Sequence, residues 1–421
     1  MSNKLLRNAL NALFGSVSTA VINFITIPLL LKGLGINSYG ELSIILTSFL
    51  VIQVLTSLQP WQAFIKFWYE PNVDRNKILS FSLLTDCVSC LIGSLVLFFT
   101  LRSERFEEFF FYVDNVTALV VSFGLLFNQF SFFVGVCRIR DNFSYISFCE
   151  FLRAFIRLIG ALIILNKNSI YIYCIFFMLS NVVIIFVSII VMRSEVLKAI
   201  KYISKCTFGD RFLFFRFLKF SYLVAIKSIV DLPVQHLDKF FVSSILGSAY
   251  VAIYDVAKRV NQGLGVFINV INQVFYPVLV RRISKGEYDA TLNFVQRYSI
   301  LALIVCIFLF TFMVLINDYI FHFYHFVFNL PVDAFKFNFN YTSVFLFSSC
   351  FILMHVFFQA AGFIEKDVNF LILANVLYLI ICYLLLKRIG LDAVIIAYII
   401  QVLMIIFMKA FTLYKSKLRE K

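Results

Sequence analysis

Residues 170–192 read IYIYCIFFMLSNVVIIFVSIIVM, a run of 23 positions without a charged side chain. A helix that crosses the hydrocarbon core of a bilayer needs about 20 predominantly apolar residues, so this stretch predicts a transmembrane helix. The rest of the chain has the same character, because 62% of its 421 residues are hydrophobic and only 14% are charged. Roughly 25% of residues are charged in an ordinary soluble domain. The composition therefore excludes a soluble enzyme, a nucleic-acid-binding module and a disordered chain.

Apolar segments of similar length recur along the whole sequence and are separated by charged or turn residues. They lie near 10–31, 42–64, 78–101, 116–137, 145–165, 170–192, 217–245, 251–279, 298–316, 339–362, 368–386 and 391–413. Such spans leave only short loops and no room for a soluble domain. The predicted fold class is an all-α polytopic membrane protein with about twelve transmembrane helices, and Pro233 is a candidate for a kink in the seventh.

The net charge of +14 is spread over the loops and forms no single basic stripe, so we expect no nucleic-acid partner. If the N-terminus is cytoplasmic, 24 of the 37 lysines and arginines fall on the cytoplasmic side and 7 fall in outer loops. Cytoplasmic loops of membrane proteins carry the excess of Lys and Arg. We therefore expect both termini in the cytoplasm, with the basic loops beside anionic lipid of the bilayer.

The longest cytoplasmic connection divides the chain into two sets of six spans. The expected organisation is an N-terminal lobe (1–192), a cytoplasmic basic linker (193–216), a C-terminal lobe (217–413) and a cytoplasmic basic tail (414–421). A faint internal repeat supports two related lobes, because the dipeptide Leu34-Gly35 recurs as Leu246-Gly247 between the first and second spans of the second half.

The linker has a pattern of its own. Val196, Leu197, Ile200 and Ile203 share one face of a helix, with lysines on another face. This pattern suits a helix that lies on the cytoplasmic leaflet. A solvated basic linker explains the same composition nearly as well.

Six basic residues lie inside predicted spans, where an ionisable side chain costs at least about 2.5–3.5 kcal/mol at the helix centre. They are Arg153, Arg157, Lys227, Lys239, Lys258 and Arg259. On the fifth span, Glu150, Arg153 and Arg157 follow an i, i+3, i+7 spacing and share one face. This face predicts either the wall of a wet cavity or an Arg–Glu pair that joins two helices.

The seventh and eighth spans carry further polar stripes. Lys227, Asp231 and Asp238 fall within about 40° of one another at 100° per residue, although a self-neutralised Lys227–Asp231 pair explains part of this stripe. On the eighth span the stripe consists of Asp255, Arg259, Gln262, Asn269 and Gln273, with Lys258 beside it. A polar face of that length suits a water-accessible wall better than isolated hydrogen bonds between helices.

These stripes predict two lobes that present net-positive faces to a central cavity. A cation 4 Å from a phosphate oxygen gains on the order of 4 kcal/mol at an effective dielectric constant of about 20, and the fork of an arginine fits phosphate in a bidentate way. An anionic solute suits such a cavity. The expected substrate-binding residues are Arg153, Arg157, Lys227, Lys258 and Arg259; the candidates for ion coupling or charge balance are Glu150, Asp231, Asp238 and Asp255; the expected polar wall is Gln262, Asn269 and Gln273.

Motifs that carry enzymatic chemistry are missing from the sequence. It contains no Gly-x-x-x-x-Gly-Lys phosphate loop, no His-Glu-x-x-His and no Gly-x-Ser-x-Gly. The four histidines do not cluster apart from His322 and His325, which we expect to pack at the membrane interface. We therefore expect no catalytic residue, no metal site and no cofactor, and coupling to a proton or sodium gradient is left open.

Several segments resemble one transporter family. The run NFITIPLLLKGLG at 23–35, followed by Tyr39-Gly40, is similar to the first hairpin of polysaccharide flippases, which belong to the multidrug/oligosaccharidyl-lipid/polysaccharide exporter superfamily. The other segments that resemble this family are Asp238-Lys239, Ile245-Leu246-Gly247, Ala252-Ile253-Tyr254, Val256-Ala257, Tyr276-Pro277 before Arg281-Arg282, and Gly390-Leu391.

The resemblance implies two six-helix lobes around a central cationic cavity in the bacterial inner membrane. It further implies that the protein moves a polyprenyl-diphosphate-linked oligosaccharide, such as the O-antigen repeat unit of lipopolysaccharide, from the cytoplasmic to the periplasmic leaflet by alternating access. A polysaccharide polymerase and a chain-length regulator are further expected partners.

Two other functions fit parts of the pattern. A small-solute exporter of the same superfamily shares the layout, but cationic drugs suit a net-negative cavity, and the embedded cations argue against it. A membrane polysaccharide polymerase or ligase usually needs a substantial outer loop. The longest outer loop here, about 317–338, offers only Asp318 and Asp333 as acidic residues.

Overall fold

A computed structural model describes residues 2–70, 73–128, 131–140, 142–203 and 211–419. All the regular elements in these ranges are helices. The first ten are α1 (Ser2–Thr56), α2 (Trp61–Trp68), α3 (Arg75–Leu101), α4 (Glu104–Phe109), α5 (Asn115–Leu126), α6 (Ser131–Ile139), α7 (Phe143–Lys167), α8 (Ile170–Val191), α9 (Arg193–Ile203) and α10 (Arg211–Leu232). After a π-helical turn at Pro233–Leu237 come α11 (Asp238–Leu246), α12 (Ser248–Ser284), α13 (Tyr288–Leu315), α14 (Asn317–Phe328), α15 (Val332–Ser349), α16 (Ile352–Ala360), α17 (Ile364–Ile389) and α18 (Asp392–Arg419).

Eight segments in the described ranges are long and apolar enough to cross a membrane. They cover nine of the twelve predicted segments, because the first, Val17–Trp68, contains two of them. The three other predicted segments, 145–165, 217–245 and 251–279, are also helical and contain the six embedded basic residues. The chain is an all-α polytopic membrane protein, which confirms the predicted fold class.

Two glycines interrupt long helical stretches in the same way. Helix α1 contains 55 residues, and its backbone leaves the helical region at Gly35, with φ 78° and ψ 168°. Gly247, between α11 and α12, adopts φ 94° and ψ 173°. Only glycine adopts this region readily. The two glycines of the predicted internal repeat therefore make the same backbone break.

The chain divides into two compact units, Met1–Leu232 and Pro233–Lys421. The core of the first unit includes Phe64, Phe132 and Phe217, all fully buried. The second unit has a separate buried cluster on α12, α13, α16 and α18. The division lies within the seventh predicted span, and the lobe limits at residues 192 and 217 stay predictions.

The linker helix α9 is part of the first unit and packs on α3. Ala199 is fully buried, and Val196 and Ile203 pack against the core of this unit. Leu197 and Ile200, in contrast, are 55% and 53% exposed. The single apolar face predicted for this helix is thus divided between the protein interior and the surface. Residues 204–210 of the linker lie outside the described part of the chain.

Candidate functional site

A π-helical turn interrupts the seventh predicted span at Pro233–Leu237. Proline lacks an amide N–H and its ring clashes with the preceding turn, so helices are irregular around it. The interruption begins at Pro233, the residue predicted to kink this span. Within the turn, the carbonyl oxygens of Val234 and Gln235 accept hydrogen bonds from Lys258 Nζ at 2.8 and 3.1 Å. The turn therefore provides two backbone acceptors for a charged side chain of α12.

Asp238 is the centre of a buried polar cluster in the second unit. Its fully buried carboxylate accepts from Lys258 Nζ, which lies 2.7 Å from each oxygen. The hydroxyl groups of Tyr254 and Tyr378 also donate to Asp238 Oδ2, the latter at 2.8 Å. A buried charge is tolerated only when it is paired and hydrogen-bonded. These donors from α12 and α17 satisfy that condition for Asp238.

Asp255 joins two more basic side chains to this region. Its buried carboxylate accepts from Lys239 Nζ and, at 2.7 Å, from Arg259 Nε. Together with the Asp238–Lys258 pair, three cations face two carboxylates, so these five side chains carry one positive charge in excess. The Arg259 side chain is 31% exposed, whereas those of Lys239 and Lys258 are almost buried. The excess charge is therefore most accessible at Arg259. We call the seven residues Asp238, Lys239, Tyr254, Asp255, Lys258, Arg259 and Tyr378 the aspartate cluster.

The polar face predicted on the fifth span is present on α7 in the first unit. Arg153 Nη1 donates to both carboxylate oxygens of Glu150, at 3.0 and 3.2 Å. Arg157 extends toward α8, where its Nε donates to Ser180 Oγ at 3.1 Å and its Nη2 donates to Asn181 Oδ1 at 3.3 Å. The α7 stripe itself holds two cations and one carboxylate, so it also carries positive charge in excess.

A cavity of about 270 Å³ lies beside Glu150 and Arg153. Its walls come from α2, α6, α7 and α8 and include Trp61 and Tyr145. The Nε atom of Arg153 is buried and has no hydrogen-bond partner among the described groups. This cavity therefore offers a guanidinium group and aromatic surface to an anionic or hydroxyl-bearing group.

The remaining predicted site residues are dispersed. Gln262 is exposed and lines a larger cavity of the second unit. Asp231 is half-buried near the end of α10. The side chains of Lys227, Asn269 and Gln273 lie outside the described part of the structure, so the Lys227–Asp231 pair and most of the polar wall stay predictions.

The π turn also changes the geometry expected for the seventh span. A π turn contains more residues than an α-helical turn, so it shifts the helical phase of everything that follows. Asp231 precedes this turn and Asp238 follows it. The prediction that these two aspartates share one helix face assumed 100° per residue throughout, and this assumption does not hold across the π turn.

Sequence reasoning misses two tyrosines and one ionic group. Tyr254 and Tyr378 lie in apolar segments, and no local pattern shows that their hydroxyl groups meet at Asp238. Lys409 is assigned to the cytoplasmic side by position, but it is buried, pairs with Asp367 and lies 2.7 Å from Nδ1 of His355. The available signal for Lys409 is its place within the twelfth apolar segment.

The family model described as polysaccharide biosynthesis protein matches residues 5–283. A multidrug resistance MATE family transporter of the MOP superfamily in an inward-facing conformation aligns with a TM-score of 0.71 at 15% identity, covering 98% of this chain and 99% of that chain. The lipid II flippase MurJ in an inward closed conformation aligns with a TM-score of 0.68 at 14% identity, covering 98% of this chain and 87% of that chain. No curated protein sequence matches.

The similar structures show a shared fold of packed membrane helices that extends over nearly the whole chain. The family match rests on sequence, and it includes α7 and its polar face, Gly35, Gly247 and all of the aspartate cluster except Tyr378. Because this match covers more than half of the residues, the chain belongs to the polysaccharide biosynthesis protein family.

Proposed function

We propose that this protein is a flippase for a polyprenyl-diphosphate-linked oligosaccharide, such as the repeat unit of O-antigen or a similar surface polysaccharide. It moves this lipid from the cytoplasmic to the periplasmic leaflet of the bacterial inner membrane. The observation that carries the proposal is the excess of positive charge inside the spans of each unit, on α7 and in the aspartate cluster. Family membership and the likeness to a lipid II flippase support a lipid-linked saccharide as the anionic cargo.

The diphosphate is the part of the substrate that a bilayer rejects most strongly. Arginine is suited to it, because the guanidinium group stays charged and binds phosphate through two parallel N–H groups. We assign direct contact with the diphosphate, or with an acidic sugar, to Arg153, Arg157 and Arg259. Lys258 and Lys227 assist. The ammonium group of Lys258 donates to Asp238 and to the π turn, and it becomes available to the diphosphate when one of these hydrogen bonds breaks.

Alternating access needs a coupling step. Asp238 and Asp255 each hold basic side chains, so binding of a proton or a sodium ion at either carboxylate weakens its ion pairs and frees positive charge for the cargo. Glu150 and Asp231 are further candidates for this role or for charge balance. The cycle needs no catalytic residue and no cofactor beyond the coupling ion.

The proposal also gives the protein an orientation in the membrane and two partner proteins. The excess of basic residues in alternate loops supports cytoplasmic N- and C-termini. The released repeat units then pass to a polysaccharide polymerase and a chain-length regulator on the periplasmic side.

The test measures translocation by the purified full-length chain in proteoliposomes. The probe is undecaprenyl diphosphate bearing one N-acetylglucosamine, and a membrane-impermeant galactosyltransferase on one side reports the sugar that crosses. We expect wild-type protein to expose the sugar to the enzyme and Arg259→Ala to slow this at least about tenfold, through loss of one charged contact. Arg105→Ala, which removes an exposed arginine of α4, is the matched control and keeps the wild-type rate.

The competing functions give different results in the same vesicles. A polysaccharide polymerase lengthens saccharide that is already on the outer face, without moving lipid across. A small-solute exporter transports neither the lipid nor its sugar. Either result, or equal rates with and without the protein, contradicts the flippase proposal.

A further inference from the structure

A polar cavity in the second unit is bounded by Lys258 of the aspartate cluster and by side chains that have no role in the proposed cycle. It has a volume of about 660 Å³, and its walls come from the π turn and from α12, α15, α16, α17 and α18. The polar groups on these walls include the amides of Asn261 and Gln401 and the hydroxyl groups of Ser348 and Tyr398. A cavity of this size accommodates more than a few water molecules, since one water occupies about 30 Å³ in the liquid.

Two buried amide side chains on the cavity wall carry polar atoms without a described hydrogen-bond partner. Asn261 is 4% exposed, and neither its Oδ1 nor its Nδ2 has a partner in the described structure. Gln401 is 6% exposed; its Nε2 donates to Asn375 Oδ1 at 2.7 Å, but its Oε1 has no partner. An unpaired buried polar group costs about 1–3 kcal/mol. These residues therefore indicate an occupant that both donates and accepts hydrogen bonds.

The described wall of the cavity lacks the carboxylate ligands that a hard metal ion prefers. The described lining residues include no Asp or Glu, and the formal positive charge among them belongs to Lys258. Sodium and divalent cations prefer carboxylate and carbonyl oxygen ligands without a neighbouring ammonium group. An uncharged or acidic ligand fits this wall better than a cation.

The apolar part of the wall is aromatic. Tyr341 and Tyr398 lie with ring centres 5.6 Å apart, and Phe345 lines the same cavity. Ligand sites typically combine such surfaces with a few fixed polar groups that set orientation. A sugar matches this combination, because its hydroxyl groups donate and accept while its ring carbons present an apolar face.

We infer that this cavity binds the sugar part of the lipid-linked substrate, and that Asn261 and Gln401 hydrogen-bond its hydroxyl or amide groups. The inference rests on the proposed flippase function and adds to it a separate site for the saccharide. Diphosphate binding depends on the arginines, whereas preference for a sugar-bearing lipid depends on this cavity.

The experiment compares two lipids on the purified full-length protein. One is undecaprenyl diphosphate with one N-acetylglucosamine, and the other is undecaprenyl diphosphate without sugar. We expect wild-type protein to bind the sugar-bearing lipid more tightly, and Asn261→Leu to reduce that preference about tenfold, which corresponds to one lost hydrogen-bonding group. Affinity for the sugar-free lipid stays unchanged.

A pair of glycine variants provides a control that does not alter any polar group. Gly265 lines the cavity, and among the described atoms a Cβ atom there meets only Phe345, at 3.8 Å. Gly263, on the same helix, has no described neighbour within 4 Å of a Cβ atom and is not among the residues that line the cavity. Gly265→Leu fills the cavity and reduces the sugar preference, whereas Gly263→Leu retains it.

The possible outcomes are distinguishable. Unchanged sugar preference in Asn261→Leu and Gly265→Leu overturns the inference but leaves the flippase proposal intact, provided both lipids bind. Stabilisation of the wild type by sodium ions that Asn261→Leu abolishes, without a sugar preference, assigns the cavity to a cation instead. Failure of the wild type to bind either lipid contradicts the proposed function, and the sugar site with it.

Discussion

Lys258 lies 2.7 Å from both carboxylate oxygens of Asp238, and both side chains are buried within the second unit. The pair joins α12 to the first turn of α11, directly after the π turn. Lys258 also donates to two carbonyl oxygens of that turn. Its position therefore depends on the irregular backbone at Pro233 as much as on the aspartate.

Removing one member of this pair leaves the other charged and buried. Breaking a buried ion pair in this way typically costs about 3–5 kcal/mol. We expect Asp238→Asn and Lys258→Met each to lower the thermal stability of the purified protein in detergent, and the double variant to recover most of the loss. Additive losses in the double variant contradict a direct pairing of these two residues.

The fold was predictable because its signal is local. The length of each apolar segment identifies a span. The Leu-Gly dipeptides mark the helix breaks at Gly35 and Gly247, where the positive φ angle requires a glycine. The Glu150–Arg153 contact on α7 was also accessible from spacing, since both residues belong to one helix.

The candidate site was less predictable because its contacts join different helices. Asp238, Lys258 and Tyr378 are distant in sequence, and their meeting depends on how α11, α12 and α17 pack. The π turn also rotates the residues that follow it about the helix axis, and the regular 3.6-residue periodicity of an α-helix does not predict this rotation. Helix α9 shows the same limit, since the burial of Ala199 depends on packing against α3 and other helices of the first unit.

The breaks at Gly35 and Gly247 predict a specific pattern of alanine substitutions. No described atom lies within 4 Å of a Cβ atom placed at either residue, so the cost of substitution comes from the backbone alone. We expect Gly35→Ala and Gly247→Ala to reduce stability by about 1–3 kcal/mol each. Gly263→Ala, in a helical position with equal space, is the control and is neutral or slightly stabilising. Similar effects at all three positions contradict this explanation.

Arg157 tests whether charge or geometry binds the substrate. Its guanidinium group is held by Ser180 and Asn181 and lies 4.2 Å from the ring centre of Phe177. Lysine retains the charge but cannot reproduce two directed N–H groups. We expect Arg157→Ala to abolish surface polysaccharide in the native host and Arg157→Lys to restore only part of it, with equal protein in the membrane. Full polymer in Arg157→Ala removes this residue from the site.

The N-terminus of α5 has a pH-dependent cap at Asp114. Partial burial alone raises the pKa of Asp114, but hydrogen bonds from Thr117, including its backbone N–H at 2.9 Å, outweigh burial and hold this pKa below its usual 3.8. A lowered folded-state pKa stabilises the fold above the unfolded value, and the effect disappears as the pH falls through the folded value.

We therefore expect Asp114→Asn, which retains a capping oxygen, to match the wild type at a pH below the lowered pKa of Asp114 and to be slightly less stable near pH 7. Asp114→Ala loses the cap at both pH values, at a cost of about 0.5–2 kcal/mol. Thermal unfolding in detergent at the two pH values measures this. If thermal stability depends on pH in the same way in the wild type and in Asp114→Asn, the carboxylate charge does not contribute to the cap.

The proposed orientation places α4 and α9 on opposite sides of the membrane. Glu107 on α4 and Lys198 on α9 are both exposed, so a cysteine at either position is accessible to a water-soluble reagent from its own side. We expect an impermeant maleimide to label Glu107→Cys in intact spheroplasts, and Lys198→Cys only after the membrane is permeabilised. Both variants carry Cys206→Ser, because Cys206 lies in the same linker as Lys198. Labelling of Lys198→Cys in intact spheroplasts would mean that α9 faces the periplasm. This result contradicts the orientation based on the positive loops and the proposed direction of transport.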